Sequence, residues 1–397
     1  AEKVMSGETL LLIDGFPKAI ITSSKHFPKR GIDKPDTEGS INGPKEAFCE
    51  NFRDNTALIR RRIRDPGLKI KQTQAGRRSK TDIGIVYIED IVRPEILAET
   101  EKRIKQIDID AILDSNILAQ LMSKDVLSPF PSFQLTERPD KAAAEILEGR
   151  IVIVVDTSPF VIILPSVLAC FYQASEDYYD NWQTASLVRC VRYIASVIAL
   201  TLPGLYICFA LYNPSMLPSA LLMKMSAARN GVPISGVLEI FLMELAFEAL
   251  REAGVRMPDA IGQTLGIVGG IIVGQAAVDA GLVSPIVVIV VSLTGICSFA
   301  IPQLALSSAY RLSKYFIMAA ASLFGLVGFW SALVVILIHL SSLSSFGIPY
   351  LYPFGGDIKG DEGIKDTFFR LPVRAYKKRP IFSNNKQKIR LKDNDMR

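Results

Sequence analysis

Tyr193-Ile-Ala-Ser-Val-Ile-Ala-Leu-Thr-Leu-Pro-Gly-Leu-Tyr-Ile-Cys-Phe-Ala-Leu211 holds no Asp, Glu, Lys or Arg, and the charge-free run continues to Met223. Two more such runs follow, Ala280 to Tyr310 and Tyr315 to Gly356. About 20 apolar residues in a helix cross the ~30 Å hydrocarbon core of a bilayer. An acid or base at mid-membrane costs ~2.5–3.5 kcal/mol on insertion scales, which accounts for their absence here. A soluble core helix of this length would carry a polar face. The back half of the chain therefore reads as an α-helical polytopic membrane domain over 157–354. Spans are expected at 193–211, 260–283, 285–303 and 315–343, with 157–175 as a candidate fifth. That fifth stretch is broken by Pro159 and Pro165, so an interfacial or half-inserted helix is the favoured reading. Four spans bring both termini to one side and leave Arg311 and Lys314 in an outside loop, against the positive-inside tendency.

The front half is unlike it. Residues 1–156 are crowded with charge, as in Arg60-Arg61-Arg62-Ile63-Arg64-Asp65, and are numerous enough to bury a core of their own. Thr9–Ile13 and Lys18–Ile21 flank an Asp14-Gly15 turn and read as a hairpin. Apolar residues at helical spacing predict helices over Pro44–Arg64, Pro94–Ile104, Ile109–Met122 and Lys141–Leu147. Lys69–Thr73, Ile83–Ile88 and Ile151–Val155 read as strands. Alternating strands and helices predict a cytosolic α/β (α+β) N-terminal domain. The opening Ala1-Glu2-Lys3-Val4 lacks an initiator Met and a signal sequence, so this domain is expected to be truncated at its start. Residues 355–397 form a basic tail with Arg374, Lys377, Lys378, Arg379, Lys386, Lys388 and Arg390. Beside spans such a tail marks the cytoplasmic side of a lipid bilayer rather than a site for nucleic acid.

Catalytic signatures are missing. Gly76-Arg77-Arg78-Ser79-Lys80-Thr81 lacks the second glycine of a phosphate loop and reads as a basic turn. His26 and His339 differ in setting, and Cys49, Cys170, Cys190, Cys208 and Cys297 show no metal or disulfide spacing. No cofactor, metal site or enzyme activity is expected.

Two segments of the membrane half carry polar groups. In 260–283, Gly262, Gly266, Gly270 and Gly274 recur every four residues, a stripe that lets helices pack closely in lipid. Gln263, Gln275 and Asp279 interrupt its apolar sequence, and such groups usually face protein or a water path. With Val273 as an apolar constriction, they are the pore-lining candidates. In Ser235–Ala253, Glu239, Glu244 and Glu248 form an acidic helix face among Leu and Phe. That face is expected to meet protein or water, with a solvated surface helix as the plain alternative.

The order of several motifs resembles a known family: the A subunit of the GerA-type spore germinant receptor of endospore-forming bacteria. The matching stretches include Gly43-Pro-Lys-Glu-Ala-Phe48, Asn55-Thr-Ala-Leu-Ile-Arg-Arg-Arg-Ile63, Ile107-Asp-Ile-Asp-Ala-Ile-Leu-Asp-Ser115, Thr136-Glu-Arg-Pro-Asp140, Leu147-Glu-Gly-Arg-Ile151, Ser175-Glu-Asp-Tyr-Tyr179 and Leu250-Arg-Glu-Ala-Gly254. Gln275 stands where the family commonly has an acid, and Asp156 is followed by Thr157 where a glycine is expected. The resemblance implies a multi-pass subunit in the spore inner membrane that senses nutrients and triggers spore germination. It implies a transporter-like B subunit and a lipoprotein C subunit as partners, and a homo-oligomer forming a nutrient-gated ion channel. A secondary transporter is the alternative, although such folds usually show internal repeats and none is visible here.

Overall fold

A computed structural model describes residues 9–15, 20–22, 31, 33–256, 274–355, 366–384 and 387–391. Strand β1 (Thr9–Leu11) pairs antiparallel with β2 (Ile20–Thr22). Helix α1 (Phe52–Arg62) starts where the Asn51 side chain accepts from the amides of Arg53 and Asp54. That cap, with three arginines in the last turn, suits both ends of the helix dipole. The helix is shorter than expected because residues 44–50 run outside it toward the strands. Next come β3 (Leu68–Ala75), β4 (Thr81–Ile88), α2 (Pro94–Lys105) and α3 (Ser115–Met122). Helix α3 begins six residues later than its apolar spacing suggests, since Asp114 caps it through the Asn116 amide. Then follow β5 (Gln134–Thr136), α4 (Pro139–Leu147), β6 (Ile151–Val155) and β7 (Val161–Leu164).

Five of these strands form one sheet in the order β3-β4-β6-β7-β5, every neighbouring pair antiparallel. Period-two alternation splits β6 between two cores. Val152 and Val154 pack with Leu58, Ile59 and Ile146 of α1 and α4. Ile151, Ile153 and Val155 pack with Ile96, Ile104 and Leu118 of α2 and α3. The front part is thus an α+β sandwich, with helices on both faces of an antiparallel sheet.

Thr157–Ser175 departs from expectation. In place of a spanning or interfacial helix it contains β7, hydrogen-bonded to strands on both sides, and a short 3-10 turn at Leu168–Tyr172. A strand buried on both faces is a continuous apolar run, which periodicity cannot tell from a buried helix.

Helix α5 (Trp182–Tyr206) continues as π-helical turns to Tyr212, with Pro203 inside it. Helices α6 (Ser219–Arg229) and α7 (Gly236–Arg256) come next. After helical residues at 274–279 come α8 (Pro285–Phe299) and α9 (Leu304–Ser342). Helix α9 is a hairpin, not a rod. Gly325 breaks it at φ 58°, ψ −135°. A side chain on Gly328 would collide with the Ala320 carbonyl. Phe130 lies 6.2 Å from Tyr310 and 6.0 Å from His339, ring centre to ring centre. In one straight helix those two residues would stand ~43 Å apart. The two arms, 304–324 and 326–342, therefore begin and end beside the front sandwich and turn at the far end, where Tyr212 packs on Gly325.

Beyond α9, the two-residue strands β8 (Ser344–Ser345) and β9 (Ile348–Pro349) return the chain to the sandwich, where Ile348 and Tyr352 join the second core. The tail does not hang free over its described part. Phe382 joins that core under the Arg150 guanidinium, 4.0 Å from the ring centre, and Arg379 donates to the Leu147 carbonyl. Gly149, at φ +96°, leaves room for this segment: a Cβ there would stand 2.6 Å from Ser383 Cα. Gly149→Val should therefore release the segment and speed tryptic cleavage between Arg374 and Arg390, leaving the sandwich resistant. An unchanged digestion rate would show that the segment is held elsewhere.

Candidate functional site

Helix α7 is amphipathic in reverse. Leu238, Leu242 and Leu245 are exposed, whereas Glu239 and Glu244 are 0% and 1% exposed. A buried carboxylate persists only when it is paired and hydrogen-bonded. Each acid has a partner on another helix. Glu244 Oε2 lies 2.5 Å from Lys314 Nζ, itself buried on the first arm of α9. Glu248 pairs with Arg311 one turn away, whose Nε donates at 3.2 Å. Glu239 Oε1 accepts from the Ser284 amide at 2.5 Å, and its Oε2 lies 3.7 Å from Arg229 Nε on α6. Arg311 and Lys314 are thus not in a loop. They sit inside a helix because a cation can be buried there when its acid is supplied from about 65 residues upstream.

These pairs order the helices. The start of α7 touches the far end of α5, where Gly236 meets Leu211. Its last turns reach the end of α8, with Arg251 4.7 Å from the Phe299 ring centre. Hence α5 and the first arm of α9 run from a front end at the sandwich to a far end, whereas α7, α8 and the second arm of α9 run from the far end back to the front.

Of the pore-lining candidates, Gln263 and Val273 lie outside the described residues, as do Gly262, Gly266 and Gly270. Gln275 and Asp279 are both exposed and, four residues apart, share one side of their helix. Gly274 is buried against α8, where a Cβ would be 3.4 Å from Val288 Cγ1.

Sequence reasoning missed a second cluster, at the front end. The arginines Arg189 and Arg192 on the first turns of α5 are buried. Asp177 accepts from both, at 3.3 Å and 2.9 Å, and Arg189 also meets Asp366 at 2.8 Å. The signal available was the pair of arginines within the turn that leads into a charge-free run, with Asp177 in the Ser175–Tyr179 motif.

Beside it lies a cavity of about 260 Å³ between α4 and the C-terminal segment, lined among others by Glu145, Glu148, Tyr178, Asp366, Arg370 and Arg390. Burial, and next the charge of Glu145, push the Glu148 carboxyl up to about 7. The folded chain therefore favours the protonated acid. That contribution to stability is complete below pH 4.5 and is lost as pH rises through about 7.

Two outcomes are expected. Lys314→Met should leave Glu244 buried and alone and destabilise the helices by ~3–5 kcal/mol, whereas Lys314→Met with Glu244→Leu should recover most of it. Thermal unfolding in detergent measures both, and equal losses in the single and double variants would refute the pairing. For Glu148, the unfolding midpoint of the wild type should fall more between pH 5 and pH 8 than that of Glu148→Gln. Parallel pH profiles would refute its titration in the fold.

By length and composition, Trp182–Tyr212 and Leu304–Ser342 are apolar enough to cross a membrane, and Pro285–Phe299 is a shorter apolar helix. These helices fit a membrane protein. Residues 1–382 match the family described as Bacillus/Clostridium GerA spore germination protein. The chain is similar to the uncharacterized membrane protein YfkQ of Bacillus subtilis, 41% identical over 96% of this chain and 74% of that protein. It is 39% identical to spore germination protein KA of the same organism, over 98% of this chain and 71% of the other. Among solved structures, the N-terminal domain of the A subunit of the Bacillus megaterium spore germinant receptor GerK3 matches at 38% identity. That match covers 31% of this chain and 97% of the other, with a TM-score of 0.26. On the family match and the identity to the two Bacillus subtilis proteins, the chain belongs to the GerA family of spore germination proteins.

Proposed function

We propose that this chain is a multi-pass membrane subunit of a nutrient receptor that triggers spore germination. In this reading it sits in the spore inner membrane with the front sandwich and the C-terminal segment in the cytosol. It works with a transporter-like B subunit and a lipoprotein C subunit, and copies of it assemble around a nutrient-gated ion path. Catalysis plays no part. The observation that carries the reading is the distribution of polar groups among the helices. Glu239, Glu244 and Glu248 of α7 are turned inward and matched by Arg229, Lys314 and Arg311. Gln275 and Asp279 instead stay on an exposed face. Polar groups facing hydrocarbon are costly, so that face calls for water or another copy of the chain. The helix of 260–283 then lines the path, with Val273 as an apolar gate and the glycine stripe as its packing side.

A secondary transporter has one observation in its favour, the irregular helices at Ile207–Tyr212 and Gly325, since such folds use broken helices at their binding sites. Reconstitution separates the two. Vesicles carrying the chain with its partner subunits should pass ion current when nutrient is added, and Gln275→Leu with Asp279→Leu should reduce it while the oligomer stays intact. Spores carrying Val273→Ala should germinate without nutrient. Solute counterflow without ion current would replace the channel by a transporter.

A further inference from the structure

The loop after α3 makes a β-turn in which the Asp125 carbonyl accepts from the Ser128 amide at 3.1 Å. Its two central residues are Val126 and Leu127. Such positions ordinarily hold Gly, Pro, Asn, Asp or Ser, which suit the turn and stay in water. Here they are 77% and 99% exposed. Single exposed apolar side chains are common on soluble proteins, but two at the tip of one turn, held rigidly outward, are not explained by the sandwich.

The turn is held from behind. Ser128 Oγ lies 2.8 Å from His339 Nε2, on the last turns of the second α9 arm, and accepts from the Phe130 amide. Phe130 is buried against Tyr310 and His339. The tip therefore projects from the sandwich at the level of the front end of the α9 arms. The helix surface beside it is apolar and open: Val335, Leu337 and Ile338, adjoining His339, are all exposed.

We infer that Val126 and Leu127 dip into the lipid bilayer at its front surface, as a second attachment of the sandwich beside its covalent links to the helices. The occupant is acyl chain and glycerol region, continuous with the lipid around the α9 arms. Lys124 and Asp125, both exposed, stay at headgroup level. Buried apolar side chains at an interface, flanked by charge, are how monotopic segments hold a membrane. The inference depends on α5 and α9 crossing the bilayer, as proposed above.

The test uses the full chain in lipid nanodiscs, with Cys190→Ser to remove the one cysteine that is not buried. Spin labels go on Val126→Cys, on Leu127→Cys, on Leu337→Cys as a lipid reference, and on Arg60→Cys of α1 as a water reference. Both tip labels should collide with dissolved oxygen several-fold more than with a water-soluble nickel chelate, following Leu337 and opposite to Arg60. Tip labels that behave like Arg60 while Leu337 stays in lipid would overturn the inference and leave the membrane reading standing. A Leu337 label open to the nickel chelate would overturn both. Tip labels sheltered from both reagents would mean that protein covers the turn, and would equally overturn a lipid occupant.

Discussion

Asp177 holds this molecule together. Its carboxylate accepts from Arg189 and Arg192, and the Arg192 guanidinium reaches on to the Tyr172 carbonyl at 2.6 Å. Arg189 in turn meets Asp366. The 3-10 turn Ser175–Tyr178 that carries Asp177, the first turns of α5 and the C-terminal segment therefore converge on a few buried charges. Taking a guanidinium from water costs several kcal/mol per ion, a cost offset only when geometry and further hydrogen bonds are complete. That requirement fixes the three segments relative to one another more tightly than apolar contact could. Hydrophobic packing has no direction, whereas two arginines sharing one carboxylate admit few arrangements.

The same rule organises the helices. Among apolar side chains a carboxylate without a partner is untenable, so α7 must turn Glu239, Glu244 and Glu248 toward cations, and its leucines outward. Glu244 and Lys314 then set the register between α7 and the first α9 arm, and Glu248 with Arg311 repeats it about one turn nearer the sandwich. Contacts between apolar helices alone would tolerate sliding by a turn. Matched charges do not, because a one-turn slip re-forms one acid–base pair at most and leaves one acid and one base among apolar side chains without partners.

What could be read from the sequence follows from which interactions are local. The α+β character of the front part came through because β6 and its neighbouring helices carry their own periodicities. Long apolar helices came through because the absence of charge is a property of each segment by itself. The errors have nonlocal causes. Val161–Leu164 reads as membrane because its burial depends on β6 and β5, which no inspection of four apolar residues reveals. Arg189 and Arg192 mark the edge of a span only if charge must be solvated, and in the fold they are satisfied by Asp177 and Asp366. Arg311 and Lys314 look like a loop for the same reason: their acids lie more than 60 residues away. Gly325 is one glycine among several in an apolar run, and nothing beside it in the sequence marks a reversal.

That reversal governs how the sandwich meets the helices. Because α9 turns back at Gly325, Tyr310 and His339 both face Phe130, and one side chain of the sandwich contacts the two arms together. Tyr310 Oη also lies 2.5 Å from Tyr172 Oη, beside the strands and turns that lead to Asp177. Lys314 is one turn along from Tyr310 on the same arm, so the sandwich contact and the Glu244 pair sit on neighbouring turns of one rigid element. Packed interiors do not deform continuously, and separating Phe130 from either arm opens a cavity at ~20 cal/mol per Å² of new surface. A displacement of the sandwich therefore has to carry the arms with it or break a buried acid–base pair. The charges of α7 and the aromatic contact at the front end are in this sense one device, joined through the first arm of α9.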